Sequence, residues 1–131
     1  MQLQLLDFSV NRFNGVEVRT ESLPQDAEVF RVSLADSLET WRRAGHALVW
    51  LDLPIDAARL IAPATECGFV FHHAAERNLT LLYVLDPDAL APSFATHFIG
   101  AGGVVLNDRN ELLVVSELHR RDGSRPYYKL P

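Results

Sequence analysis

The 131-residue sequence contains a single cysteine, Cys67. No internal disulfide can form, and this usage fits a reducing compartment. Positive charge is also scarce: 12 Lys and Arg against 17 Asp and Glu leave a net charge of −5. The cations are spread along the chain, which excludes a general nucleic-acid binder, since that needs a basic face toward phosphates. No apolar run is long enough to cross a bilayer. The start, "MQLQLLDF", lacks the basic residues and long apolar stretch of a secretion signal. These absences predict a soluble, cytoplasmic protein. Low-complexity tracts and charge blocks are missing too. With 48% hydrophobic residues the chain can build a core, and general disorder is excluded.

What is present is α+β in pattern. "LDFSVNRFNGVEVRT" predicts two strands, Leu5 to Val10 and Val16 to Arg19, joined at Asn14-Gly15, a pair that accepts the positive φ values of a tight hairpin. "SLADSLETWRRAG" predicts a helix capped by Ser33 with Asp36, with Leu34, Leu38 and Trp41 on one face and Gly45 as its stop. "ALVWLDLP" is a continuous apolar run of strand length, as in a strand buried on both faces. "IDAARLIAPATECG" predicts a second helix with Ala57, Leu60, Ile61 and Ala64 on one side, a kink at Pro63 and an end at Gly68. "FVFHH" and "LTLLYVL" read as strands joined by the polar "AAERN".

The texture then changes. "DPDALAPSFATHF" has two prolines among small residues and reads as a linker. "FIGAGGVVLN", "NDRN" and "ELLVVSEL" read as two antiparallel strands around a turn, followed by the loop "HRRDGSRP" and a last strand-like stretch, "YYKLP". The predicted domains are residues 1–91 and 92–131.

Few residues carry a chemical signal. His72 and His73 are adjacent, and on a regular strand neighbouring side chains point to opposite faces, so the two imidazoles should not share an ion. No other His or Cys has zinc-ligand spacing, and no metal site is expected. "GAGGVV" places Val105 where the third glycine of a dinucleotide loop belongs and leads into a strand, so its glycines read as sites of close backbone approach or a bulge. Arg120, Arg121 and Arg125, with His119, surround an Asp-Gly turn. Guanidinium forks suit phosphate oxygens, but a solvated hairpin loop has the same composition. Cys67 has no activating base nearby in sequence and reads as a buried thiol at a helix end. No catalytic constellation is present.

The last segment, "FIGAGGVVLNDRNELLVVSEL" through "YYKLP", resembles the opening strands of a Nudix hydrolase domain. In that family a Leu-Pro-Gly-Gly phrase leads into the glutamate-rich Nudix box, and this chain supplies Lys129, Leu130 and Pro131 of the approach. Upstream, "FNGVEVRTESLP" and the stretch from "SLETWRR" to "LTLLYVL", above all "IAPATECGFVFHH", resemble the pre-Nudix extension of plant and animal Nudix proteins. The resemblance implies a small GNAT-like mixed sheet with two helices, then the first strands of an incomplete Nudix fold. Acetyltransferase activity does not carry over, because no Gly-rich acetyl-CoA loop precedes a helix.

For the parent protein the resemblance implies hydrolysis of nucleoside diphosphate derivatives of the ADP-ribose or NADH type. Box glutamates would hold Mg²⁺ or Mn²⁺, which neutralises the diphosphate and activates water. Neither Glu111 nor Glu117 matches a box position, so this chain alone is expected to be inactive. Arg120, Arg121, Arg125 and Lys129 are the candidate substrate-binding residues. The other reading is a non-catalytic dimerisation or regulatory module. A homodimer is expected in either case, because Val104, Val105, Leu112, Leu113 and Val115 would offer uncovered apolar faces, and exchange of the 97–118 hairpin would bury them.

Overall fold

The computed structural model describes residues 4–116 and 127–131. The chain divides into two compact units, one ending at Phe94 and the other beginning at Ala95.

The first unit is α+β. Its strands are β1 (Phe8–Val10), β2 (Gly15–Val18), β3 (Leu48–Pro54), β4 (Val70–Ala75) and β5 (Asn78–Val84), and its helices are α1 (Ala27–Arg43) and α2 (Ile61–Glu66). They make one five-stranded sheet in the order β1-β2-β3-β5-β4. Only β2 and β3 run parallel. A parallel neighbour needs a crossover, and α1 supplies it.

Both strands of the β1–β2 hairpin differ from the predicted bounds, and β2 begins at Gly15 itself, so the connection is residues 11–14. Phe8 pairs with Val18 and Val10 with Val16. Asn14 alone takes a positive φ, 60°. Asn11 organises the turn, its side-chain oxygen accepting from the backbone N–H of Phe13 at 3.0 Å and of Gly15 at 2.9 Å. Asn14 fastens the turn to the end of α1: its Nδ2 donates to the Gly45 carbonyl at 2.9 Å, and its own carbonyl accepts from Ala47 N–H at 3.1 Å.

Helix α1 begins earlier than the Ser33 cap predicted. Asp26 is the N-cap, and its Oδ1 accepts from the N–H groups of Glu28 and Val29, both at 2.9 Å. This satisfies donors that a helix start leaves without partners. The apolar stripe extends back to Phe30 and continues through Leu34, Leu38 and Trp41, all buried. Ser33 lies mid-helix, and its carbonyl accepts from the Ser37 hydroxyl at 2.6 Å. Ser37 in turn accepts from Leu6 N–H at 3.0 Å, so this buried hydroxyl is satisfied. Glu28–Arg31, Glu39–Arg42 and Glu39–Arg43 pairs line the exposed side. Gly45, at φ +80°, ends the helix as expected.

The second helical stretch is not one helix kinked at Pro63. A 3₁₀ segment, Ile55–Leu60, precedes α2, and the irregular residue is Ala57, at φ −100° and ψ 15°. Pro63 sits in the first turn of α2, where a helix has no use for that backbone N–H, so the ring disrupts nothing. Gly68, at φ +100°, follows the helix end.

Side chains alternate across the sheet. Val16, Val18, Val49, Leu51, Leu53 and Leu81 turn inward and join Phe30, Leu34, Trp41 and Leu60 in one core. The outer face carries Glu17, Trp50, Asp52 and Thr80. Asp52 is exposed and Trp50 half-buried, so β3 is not covered on both sides as its unbroken apolar run predicted.

In the second unit Val115 bridges to Lys129, and among the described residues of 97–118 the predicted antiparallel pairing is reduced to one isolated bridge, Leu106 with Leu112. Asn110, at φ 60°, closes the turn between them. Of the three glycines of "GAGG", Gly102 meets the close-approach expectation: an added Cβ would lie 3.3 Å from Leu130 Cβ, whereas Gly100 and Gly103 face open space.

Candidate functional site

Among the described residues no α-helix lies over the outer face of the sheet, and its features gather around Trp50. On one side a hollow of about 380 Å³ is lined by Glu17, Arg19, Glu21, Trp50, Asp52 and Thr80 among others. On the other a hollow of about 570 Å³ is lined chiefly by Phe13, Leu48, Trp50, Leu90 and Pro92. Glu17 and Trp50 border both. The first is polar with an excess of carboxylates, and the second suits an apolar or aromatic group.

One wall of the apolar hollow is the segment after β5. Leu85 and Asp86 donate their N–H groups to the Ala47 carbonyl at 2.9 and 3.1 Å. A turn follows, with Ala89 N–H on the Asp86 carbonyl at 2.9 Å. The chain then reaches β4, where Pro92 and Phe94 meet the two histidines.

The histidines correct the sequence reading. Phe71 pairs with Leu81 and His73 with Thr80, so His72 is one residue too many for the ladder and β4 carries a bulge. A bulge places an extra residue out of alternation and re-aims the side chains around it. The two imidazoles therefore lie side by side rather than on opposite faces, with Nδ1 to Nδ1 at 2.8 Å. His72 Nε2 is 2.7 Å from the Pro92 carbonyl oxygen. The His72 ring stands edge-on to Trp50 at 4.9 Å. His73 stacks flat on Phe94, centroids 4.0 Å apart and planes within 6°. His73 Nε2 lies 3.4 Å from Thr80 Oγ1, which is 3.0 Å from Asp52 Oδ1. Only the pairing of β4 with β5 discloses the bulge.

Cys67 caps the C-terminus of α2 and is partly buried, with Sγ donating to the Arg31 carbonyl at 3.7 Å. Burial raises its pKa above the ordinary thiol value; the Arg31 charge works against this, and Glu66 adds to it. Such a thiol is a poor nucleophile. On α1, the hydrogen bond from Arg31 holds the Glu28 carboxyl below the usual carboxylate range.

Of the candidate substrate-binding residues, Arg120, Arg121 and Arg125 lie outside the described residues, as does His119. Lys129 is exposed, and its backbone exchanges two hydrogen bonds with Val115 at 2.9 and 3.0 Å. Among the described residues no group of three or more His, Cys, Asp or Glu is arranged to hold a metal ion, so these residues do not fit a divalent-cation centre. No helix among them is long and apolar enough to cross a membrane.

Comparison with known proteins identifies this architecture. Residues 6–85, most of the first unit, match the Nudix hydrolase domain. Nudix hydrolase 8 of Arabidopsis thaliana is 36% identical over 129 residues, covering 97% of this chain and 35% of its own length. Nudix hydrolase 7 of the same plant is 38% identical, over 99% of this chain and 46% of its own. The human nucleoside diphosphate-linked moiety X motif 6 is 35% identical over 121 residues, 88% of this chain and 38% of its own. The chain belongs to the Nudix hydrolase family and corresponds to the N-terminal domain of these proteins. It spans between about a third and just under half of the length of these three relatives.

Proposed function

We propose that this chain is the N-terminal part of a Nudix pyrophosphatase that cleaves nucleoside diphosphate derivatives of the ADP-ribose or NADH type in the cytoplasm. The products would be a nucleoside monophosphate and a phosphorylated remainder. The observation that carries this reading is the coverage: Arabidopsis Nudix hydrolases align with 97% and 99% of this chain, yet with 35% and 46% of themselves. Mg²⁺ or Mn²⁺ is proposed for the complete protein. Because the described residues do not fit such a centre, no step is assigned to them. Arg120, Arg121, Arg125 and Lys129 remain proposed contacts for substrate phosphates, on the chemistry of their cations.

The chain by itself is proposed to be inactive. Incubation of residues 1–131 with ADP-ribose and NADH in the presence of either metal, followed by chromatography, should show no product above a buffer blank. Metal-dependent turnover by the purified chain would refute this.

A second reading, a dimerisation or regulatory module, draws on a different observation. Val104, Leu106, Leu112 and Leu113 each keep about half or more of their surface exposed. Burying an aliphatic side chain of this kind is worth about 1.5–3 kcal/mol, so pairing of two copies through this segment is favoured. Light scattering coupled to size exclusion should find a homodimer. A monodisperse monomer at tens-of-micromolar concentration would count against it.

A further inference from the structure

We infer that His72 and His73 form a one-proton clamp that fastens residues 89–94 onto the outer face of the sheet and releases them when a second proton arrives.

The argument follows the donors and acceptors along the chain of contacts. The Pro92 carbonyl oxygen, 2.7 Å from His72 Nε2, can only accept, so His72 Nε2 carries a proton. At the other end Thr80 Oγ1 lies 3.0 Å from Asp52 Oδ1, and a carboxylate can only accept, so the hydroxyl proton points at Asp52. Thr80 therefore turns a lone pair toward His73 Nε2, which favours a proton there too. Both rings are then protonated on their outer nitrogens, and both inner nitrogens face each other at 2.8 Å. Two bare lone pairs at that distance repel, whereas one proton between them makes a charge-assisted hydrogen bond. The arrangement satisfied at every atom has both outer nitrogens protonated and one proton shared between the two inner nitrogens, with Asp52 one hydroxyl away.

A second proton has no place in this arrangement. It would set an N–H against an N–H between two like charges, and the pair would have to part. Parting removes the donor from the Pro92 carbonyl and withdraws His73 from the ring of Phe94. The wall that Leu90 and Pro92 give the apolar hollow then opens. When the pair gives up its extra proton, His73 can still hold a proton on Nδ1 and donate it to the bare Nδ1 of His72, while His72 Nε2 keeps its proton for the Pro92 carbonyl, so neutral and mildly alkaline solution leaves the clamp shut.

Among the described residues the charged groups on this face are Asp52 of β3, reached through Thr80, Glu17 of β2, and Arg19 and Glu21 farther along the polar hollow. Thr80 of β5 and the strap residues Pro92 and Phe94 do not titrate, and the helices lie on the other face. A metal ion fits the space less well. Two nitrogens on a tetrahedral zinc stand about 3.3 Å apart, and the described residues supply no third ligand.

The test uses the whole chain, labelled with ¹⁵N. Long-range imidazole spectra at neutral pH should show His72 protonated on Nε2 and bare on Nδ1. As pH falls from about 8 toward about 5, the range over which histidines charge, the backbone amide signals of Ala89, Leu90, Ala91, Ser93 and Phe94 should shift together with double protonation of His72. His72→Gln keeps an amide donor for the Pro92 carbonyl but cannot titrate, so its strap signals should stay in place over the same range. Three outcomes would overturn the inference. They are strap signals that ignore pH in the wild type, strap signals in His72→Gln that move as in the wild type, and one equivalent of tightly held metal bound through both Nδ1 atoms.

Discussion

Phe30, Leu51 and Leu81 are sealed in the first unit, whereas Val104, Leu106 and Leu113 in the second are 68%, 57% and 52% exposed. Both regions are rich in branched apolar residues at strand-like spacing, and both pair their backbones. The difference is a second layer. In the first unit α1 and α2 lie against the inner face of a continuous sheet, and in the second the described residues form bridges with no helix against them. Apolar alternation makes a strand possible, but burial depends on a partner layer.

The strongest way to break this comparison is to truncate one apolar side chain in each unit. Phe30→Ala removes a ring that is wholly buried and should cost about 3–5 kcal/mol of stability. Leu113→Ala, half-exposed, should stay within about 0.5 kcal/mol. Urea titration of both variants decides it, and equal losses would mean that the second unit is covered in solution. A finer probe is the helix that supplies the covering layer. Asp26→Ala deprives the Glu28 and Val29 N–H groups of their acceptor and should cost about 1 kcal/mol, read from the same titration. Glu39→Ala breaks the pairs to Arg42 and Arg43 on the exposed side of that helix, and thermal melts should register no more than about 0.5 kcal/mol.

The smallest effect concerns Cys67. Its raised pKa means that the folded chain prefers the neutral thiol. The associated stability is complete below the unfolded thiol value and is lost as pH rises through the folded one, so the loss falls above about pH 8.5. Cys67→Ser should flatten that alkaline decline in a series of melts. A decline of equal steepness would place its origin elsewhere.

Much of the first unit was legible in the sequence because its signals are local. Gly45 and Gly68 announce helix ends through backbone conformations that other residues resist, and Leu34, Leu38 and Trp41 mark a helical face by spacing. The start of α1 was misplaced because Ser33 and Asp36 offer a capping pattern as good as any, and only the burial of Phe30 carries the helix back to Asp26. Pro63 misled in a similar way, since a ring that breaks a helix interior is harmless in a first turn. The histidine pair was hidden for a different reason. Alternation is a property of a strand that keeps its register, and the register of β4 is set by β5. Arg120, Arg121 and Arg125 fall outside the described residues, so that part of the candidate site rests on sequence chemistry alone.

The position of β4 at the edge of the sheet has a consequence for how this fold can vary in length. An edge strand answers to one neighbour, so β4 can take in a surplus residue, and the cost is one skipped pairing at His72. The central strand β3 has no such latitude, being paired to β2 on one side and β5 on the other. A residue inserted before Val49 would slide the strand by one and send Trp50 and Asp52 into the core while turning Leu51 and Leu53 to water. Insertions and deletions in this fold should therefore collect along β4 and its turn, and natural variation in length should spare β3.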